Sequence, residues 1–171
     1  MMSTPKRIYL AFLFLVASWC AGILLAPLLK SFGLGAGSFL YSWYAPICHQ
    51  IDQRSLHLAG EKLGVCARCS SIYGSFLLVL LIYPLFQRLS SPSLPKRWWL
   101  FVAVIPMVID VSLNVTGIHP STVTTRAVTG VFFGAILPFY LVPPLLEGFT
   151  QAWHRLTLRG GLFYARKAQQ T

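Results

Sequence analysis

Long apolar runs, broken by short polar clusters, dominate this chain. Residues 8–29, 71–89, 98–115 and 123–146 are each almost wholly apolar. About 20 such residues carry an α-helix across the hydrocarbon core of a bilayer, and a segment at that depth must satisfy its own backbone, which favours helix. The pattern therefore predicts an all-α integral membrane bundle of four transmembrane helices. Residues 32–47 are too few for a normal span and carry Phe39, Leu40, Tyr41, Trp43 and Tyr44. That aromatic density predicts a short interfacial or re-entrant segment. Past residue 146, Phe149, Trp153 and Leu156 recur at helical spacing beside Arg155 and Arg159, as in an amphipathic helix lying on the inner membrane surface. Pro27, Pro84, Pro106, Pro138, Pro143 and Pro144 interrupt the runs. Spanning helices tolerate proline where neighbours satisfy the freed carbonyls, so kinks are expected.

Composition agrees with this pattern. Of 171 residues, 56% are hydrophobic and 11% charged, against about 25% charged in soluble domains. One membrane domain over residues 1–171 is expected, ending in a basic tail over 147–171. Lys6 and Arg7 ahead of an apolar run resemble a signal peptide, but the run is long and no small-residue cleavage site closes it, so it reads as a retained helix. The net charge of +10 comes from 14 Lys and Arg against four acids. These cations cluster at the ends of apolar runs, as suits contact with lipid head groups, and no nucleic-acid-binding motif accompanies them. Nine of them (Lys6, Arg7, Arg88, Lys96, Arg97, Arg155, Arg159, Arg166 and Lys167) share one side if both termini are cytoplasmic, leaving five for the other. Positive-inside logic then predicts a multi-pass protein of the inner (plasma) membrane, its 48–69 loop extracytoplasmic.

That loop holds the candidate chemistry. Cys48, His49, His57, Cys66 and Cys69 lie within 22 residues. Cys66 and Cys69 form a C-x-x-C pair beside a helix start, where both thiols can face one ion. With Cys48 third and His49, His57 or His119 fourth, the donor set suits zinc, closed as a structural site or open as a Lewis-acid one. A thiol–disulfide oxidoreductase using Cys66 and Cys69, with a quinone as electron acceptor, is the competing reading, since a helix N-terminus and Arg68 both favour a thiolate. Cys48 lacks a cysteine partner for a full relay, because Cys20 falls inside the first apolar run. A structural disulfide or inert thiols stand third. A c-type haem is excluded because Ser70, not His, follows Cys69.

Asp110 sits well inside the third apolar run, where a carboxylate is costly and needs a partner. Asn114 follows four residues on, on the same face, then His119, Ser121, Thr122 and Arg126. Arg126 is the expected partner of Asp110, with Arg54 and Arg68 as others. Asp110 and Arg126 are the candidate catalytic pair of a polar pocket shared with the cysteine loop; the alternative is a plain clasp between helices. Gly130 and Gly134 form a small-xxx-small step expected to serve close packing.

Cys48-His49-Gln50, Arg54-Ser55, Cys66-Ala67-Arg68-Cys69 and Tyr73-Gly74 resemble the signature of an uncharacterised family of small prokaryotic membrane proteins. Asp110 and Arg126-Ala127-Val128-Thr129-Gly130 match that pattern too. Ser70-Ser71 departs from the Thr-Gly the pattern implies, and Val123 from an Asn ahead of the arginine. The resemblance, over about residues 40–135, implies no reaction. A small kinked bundle rich in aromatics also suits a non-enzymatic accessory subunit of a larger membrane complex, a further reading that would add other membrane subunits to the lipid bilayer as partners.

Overall fold

The computed structural model describes residues 4–168, except for the side chains of residue 154 and of residues 156–168. The expectations for Leu156, Arg159, Arg166 and Lys167 thus lie outside the described side chains. The chain runs α1 (Thr4–Ser31), α2 (Gly35–Tyr44), a 3-10 turn (Asp52–Arg54), β1 (His57–Leu58), β2 (Glu61–Lys62), α3 (Ala67–Phe86), α4 (Trp98–Val115) and α5 (Val123–Ala168). Helices α1, α3, α4 and α5 are long and apolar enough to cross a membrane. The all-α expectation holds, with a two-stranded hairpin the small exception.

Three boundaries depart from the pattern-based ones. Helix α3 begins at Ala67 rather than near 71, because Cys66 is extended (φ −66°, ψ 163°) and acts as the N-cap. The Cys-x-x-Cys pair is therefore part of the first turn, not of the preceding loop. The fourth span continues without a break into the tail, its apolar part reaching Trp153, where a separate amphipathic helix was expected. The 32–47 segment contributes the ten-residue α2, which folds back along α1. Gly37 meets the Lys30 backbone, whereas the Tyr44 hydroxyl donates to Trp19 O at 2.8 Å.

The prolines explain how the bundle is stitched together. Proline at position i leaves the carbonyl of residue i−4 without its helical donor. Pro84 frees Leu80 O, and the Tyr9 hydroxyl of α1 donates to that atom. Pro27 frees Ile23 O, which accepts the Gly64 N–H at 3.1 Å. Two apparent defects thus become docking points, one at each end of α1.

Two buried clusters fill the interior. Tyr9, Phe76, Leu80, Tyr83, Val142 and Leu146 join α1, α3 and α5 at one end. Ile23, Tyr44, Cys48, Leu63 and Val65 form the other, with Trp19, Cys66, Cys69 and Tyr73 against them. Helix α5 lies hard against α3. A Cβ on Gly130 would stand 2.7 Å from Arg68 O, and one on Gly134 would collide with Ile72 and Ser75. The small-xxx-small step serves close packing as its spacing suggested. Helix α4 is peripheral, with Trp98, Trp99, Phe101, Ile105, Val108 and Ile109 exposed, as on a face that meets lipid.

Candidate metal centre

The cysteine loop is held by backbone and side-chain bonds on every side. Tyr44 caps α2 against Trp19, the rings 4.9 Å apart and nearly perpendicular. Cys48 follows at once, its N–H on Tyr44 O at 3.1 Å. Gln50, at φ 51°, turns the chain and its amide donates to Tyr41 O (2.7 Å) and Gly64 O (2.9 Å). Lys62 Nζ donates in turn to Gln50 O at 2.7 Å. The β1–β2 hairpin closes over Ala59 and Gly60, both at positive φ, as a tight two-residue hairpin requires. It carries the chain to Gly64, whose contact with Ile23 leaves 3.2 Å to a would-be Cβ. Cys66 therefore enters α3 beside α1 at the level of Ile23, about 12 Å short of the end of α1 at 1.5 Å per residue. The cysteines sit sunk into one end of the bundle rather than on an outlying loop.

All three sulfurs converge. The Sγ atoms of Cys48, Cys66 and Cys69 lie within 4.8 Å of one another, with Cys66 and Cys69 3.5 Å apart. Around a tetrahedral zinc with bonds of ~2.3 Å, sulfurs stand ~3.8 Å apart, so small rotations would close the set on one ion. Cys48 Sγ accepts the Cys66 N–H at 3.1 Å. Hydrogen bonding with the Cys48 and then the Cys69 thiol, aided by the amides of Cys69 and Arg68, holds the Cys66 thiol well below its ordinary range. Cys20 stands apart, its thiol on Tyr73 O.

The expected histidine ligand does not join them. Among the described residues the ligand group contains the three cysteines alone. His49 is exposed but borders the same cavity. His57 pairs with Asp52 at 3.2 Å, and His119 is exposed in the α4–α5 link.

The polar set assembles differently from the expectation as well. Asp110 pairs with Arg68, not Arg126. Arg68 lies between the two cysteines of the α3 turn, on the side that meets α4. Arg126 instead reaches Ser121 O and Asn114 Oδ1, both at 3.4 Å. Asn114 Oδ1 also accepts the Ser121 N–H at 3.1 Å, tying the link down. Arg126 is buried. With Ile47, His49, Gln50, Ile51, Arg54 and the three thiols it lines a cavity of about 150 Å³. Gln50 and Lys62 received no structural role from sequence reasoning; the Cys-His-Gln triplet was the one signal for the first, and nothing marked the second.

The family model described as "Predicted membrane protein (DUF2085)" matches residues 48–140. The chain belongs to this family. The DUF2085 match opens at Cys48 and runs into α5, so it takes in the three thiols, Arg68, Asp110 and Arg126, whereas α1 and α2 lie outside it. An uncharacterised protein of Methanocaldococcus jannaschii is 34% identical over 148 residues, covering 83% of this chain and 95% of the relative. No solved structure matches the chain.

Proposed function

We propose that this membrane protein binds one metal ion, zinc by preference, on Cys48, Cys66 and Cys69, in an extracytoplasmic site whose fourth position faces the cavity. The observation that carries this reading is the convergence of three Sγ atoms within 4.8 Å. Thiolate donors in tetrahedral reach of one another suit zinc. The cavity beside the sulfurs supports an open rather than closed coordination, because it leaves room for a ligand from solution. The open position gives the ion scope for Lewis-acid chemistry. Arg126 would then act on whatever enters, and Asp110 would act through Arg68 as a positioning residue. The distribution of cations supports an outward-facing site with both termini cytoplasmic.

Elemental analysis of the purified protein tests the reading. Stoichiometric metal in the native chain, lost in Cys48→Ser and in Cys69→Ser, is the expected result. A metal-free protein whose cysteines all alkylate freely would rule it out. The 3.5 Å approach of Cys66 and Cys69 favours thiol redox as a second reading. That reading predicts a mass lower by two hydrogens in oxidised protein, lost in Cys66→Ser, with a quinone as the natural electron acceptor in a bilayer.

A further inference from the structure

The cations around the thiols exceed what a metal site needs. Arg126 is only 7% exposed, and its two contacts are neutral oxygens at 3.4 Å, the long edge of hydrogen bonding. A guanidinium buried without a directly paired counter-charge is costly. The chain has four acids to offer. Asp110 is committed to Arg68, Glu61 to Lys30 and Asp52 to His57. Glu147 lines a different pocket with Pro5 and Leu89 at the far end of the bundle. No carboxylate pairs directly with buried Arg126 among the described residues, nor with solvent-exposed Arg54, which borders the same cavity. Zinc on three thiolates carries one net negative charge, which offsets one arginine and leaves the other.

We propose that the cavity over the thiols is an anion site for phosphate or a phosphate monoester, with one oxygen on the metal and others on Arg126 and Arg54. This rests on the metal reading above. Two guanidiniums and an open coordination position around one small cavity match an anion with at least three oxygens better than a carboxylate with two, and arginine's planar fork is suited to phosphate. The monoester can come from solution or from a lipid head group at the membrane surface; the chemistry recognised is the same.

Cobalt-substituted full-length protein in nanodiscs separates the possibilities. A thiolate-to-cobalt absorption band reports the metal, and the visible ligand-field bands report its fourth ligand. Inorganic phosphate added to phosphatidylcholine nanodiscs is expected to shift the ligand-field bands. Arg54→Gln and Arg126→Gln should each keep the thiolate band and weaken the phosphate response at least about tenfold, the worth of one charge-assisted hydrogen bond. A response seen with phosphatidic acid in the disc, but not with free phosphate, supports the site and identifies a head group as its source. If the thiolate band forms and neither anion alters the spectrum, the anion site is wrong and the metal site stands. A response undiminished in both arginine variants also overturns it. If no thiolate band forms, the metal reading fails first and the anion site as drawn falls with it.

Discussion

At the scale of single residues, Cys48 and Gln50 do separate jobs two positions apart. In the proposed metal site Cys48 supplies a sulfur that its partners cannot replace, since Cys66 and Cys69 alone leave half a tetrahedron. Under the proposed metal reading, Cys48→Ala is therefore expected to lose bound metal while the bundle still folds, which metal analysis alongside circular dichroism would check. Gln50 holds α2 to the strand leading into Cys66 through its amide bonds to Tyr41 O and Gly64 O. Removing it strands two partly buried carbonyls. Gln50→Ala should cost about 1–3 kcal/mol, read as a lower melting temperature, with a metal affinity that falls because Cys48 is no longer held in place. The motif was legible in the sequence; which of its residues carries sulfur chemistry and which carries architecture was half legible. A thiol announces its chemistry, whereas an amide is informative only once its acceptors are known.

At the scale of elements, the Arg68–Asp110 pair ties α4 to the first turn of α3. Both side chains are largely withdrawn from solvent, at 17% and 12% exposure. Asp110→Asn leaves a buried guanidinium uncompensated and should destabilise the protein by about 3 kcal/mol in denaturant or thermal unfolding. Replacing both partners with apolar residues, as in Arg68→Met with Asp110→Leu, should recover much of that loss. Because Arg68 stands between two of the proposed ligands, the single substitution is also expected, under that reading, to weaken metal binding by roughly 10–100-fold, as loss of an outer-shell partner does. The α3–α5 seam makes a second prediction. Gly130→Ala brings a methyl against Arg68 O and should cost about 1–3 kcal/mol of overpacking. Pro27→Ala acts in a less obvious way. It restores the helical donor to Ile23 O, which Gly64 now occupies, so the cysteine loop should loosen even as α1 gains a hydrogen bond. Faster alkylation of Cys66 in metal-free Pro27→Ala, compared with the native chain, would reveal it.

At the scale of the whole molecule, the two ends of the bundle are built for different things. One is an aromatic and aliphatic plug around Tyr83 and Leu80; the other encloses thiols, two arginines and a cavity. If the polar end faces outward, a cysteine introduced at exposed His119 of a chain lacking other cysteines should react with a membrane-impermeant maleimide in intact cells. One introduced at Ser93 should not. The reverse pattern would invert the proposed topology.

The spans, the all-α class and the three-cysteine motif were readable in order along the chain, because hydrophobic length and thiol chemistry are local properties. The partner of Asp110 was not. Arg68, Arg54 and Arg126 were all admissible on spacing, and the choice fell to the packing of α4 and α5 on α3, where two glycines set how closely the helices approach. Nor did spacing say which donors converge: Cys66, 18 residues from Cys48, meets its sulfur by way of a hairpin and a proline-freed carbonyl, whereas neighbouring His49 borders the cavity outside the three-sulfur group. Sequence alone determined that this is a membrane bundle with a metal-competent motif. Only the tertiary structure decided which side chains meet, because backbone contacts such as Gly64 to Ile23 and Gly130 to Arg68 set the helix positions, and residue types do not encode those contacts one by one.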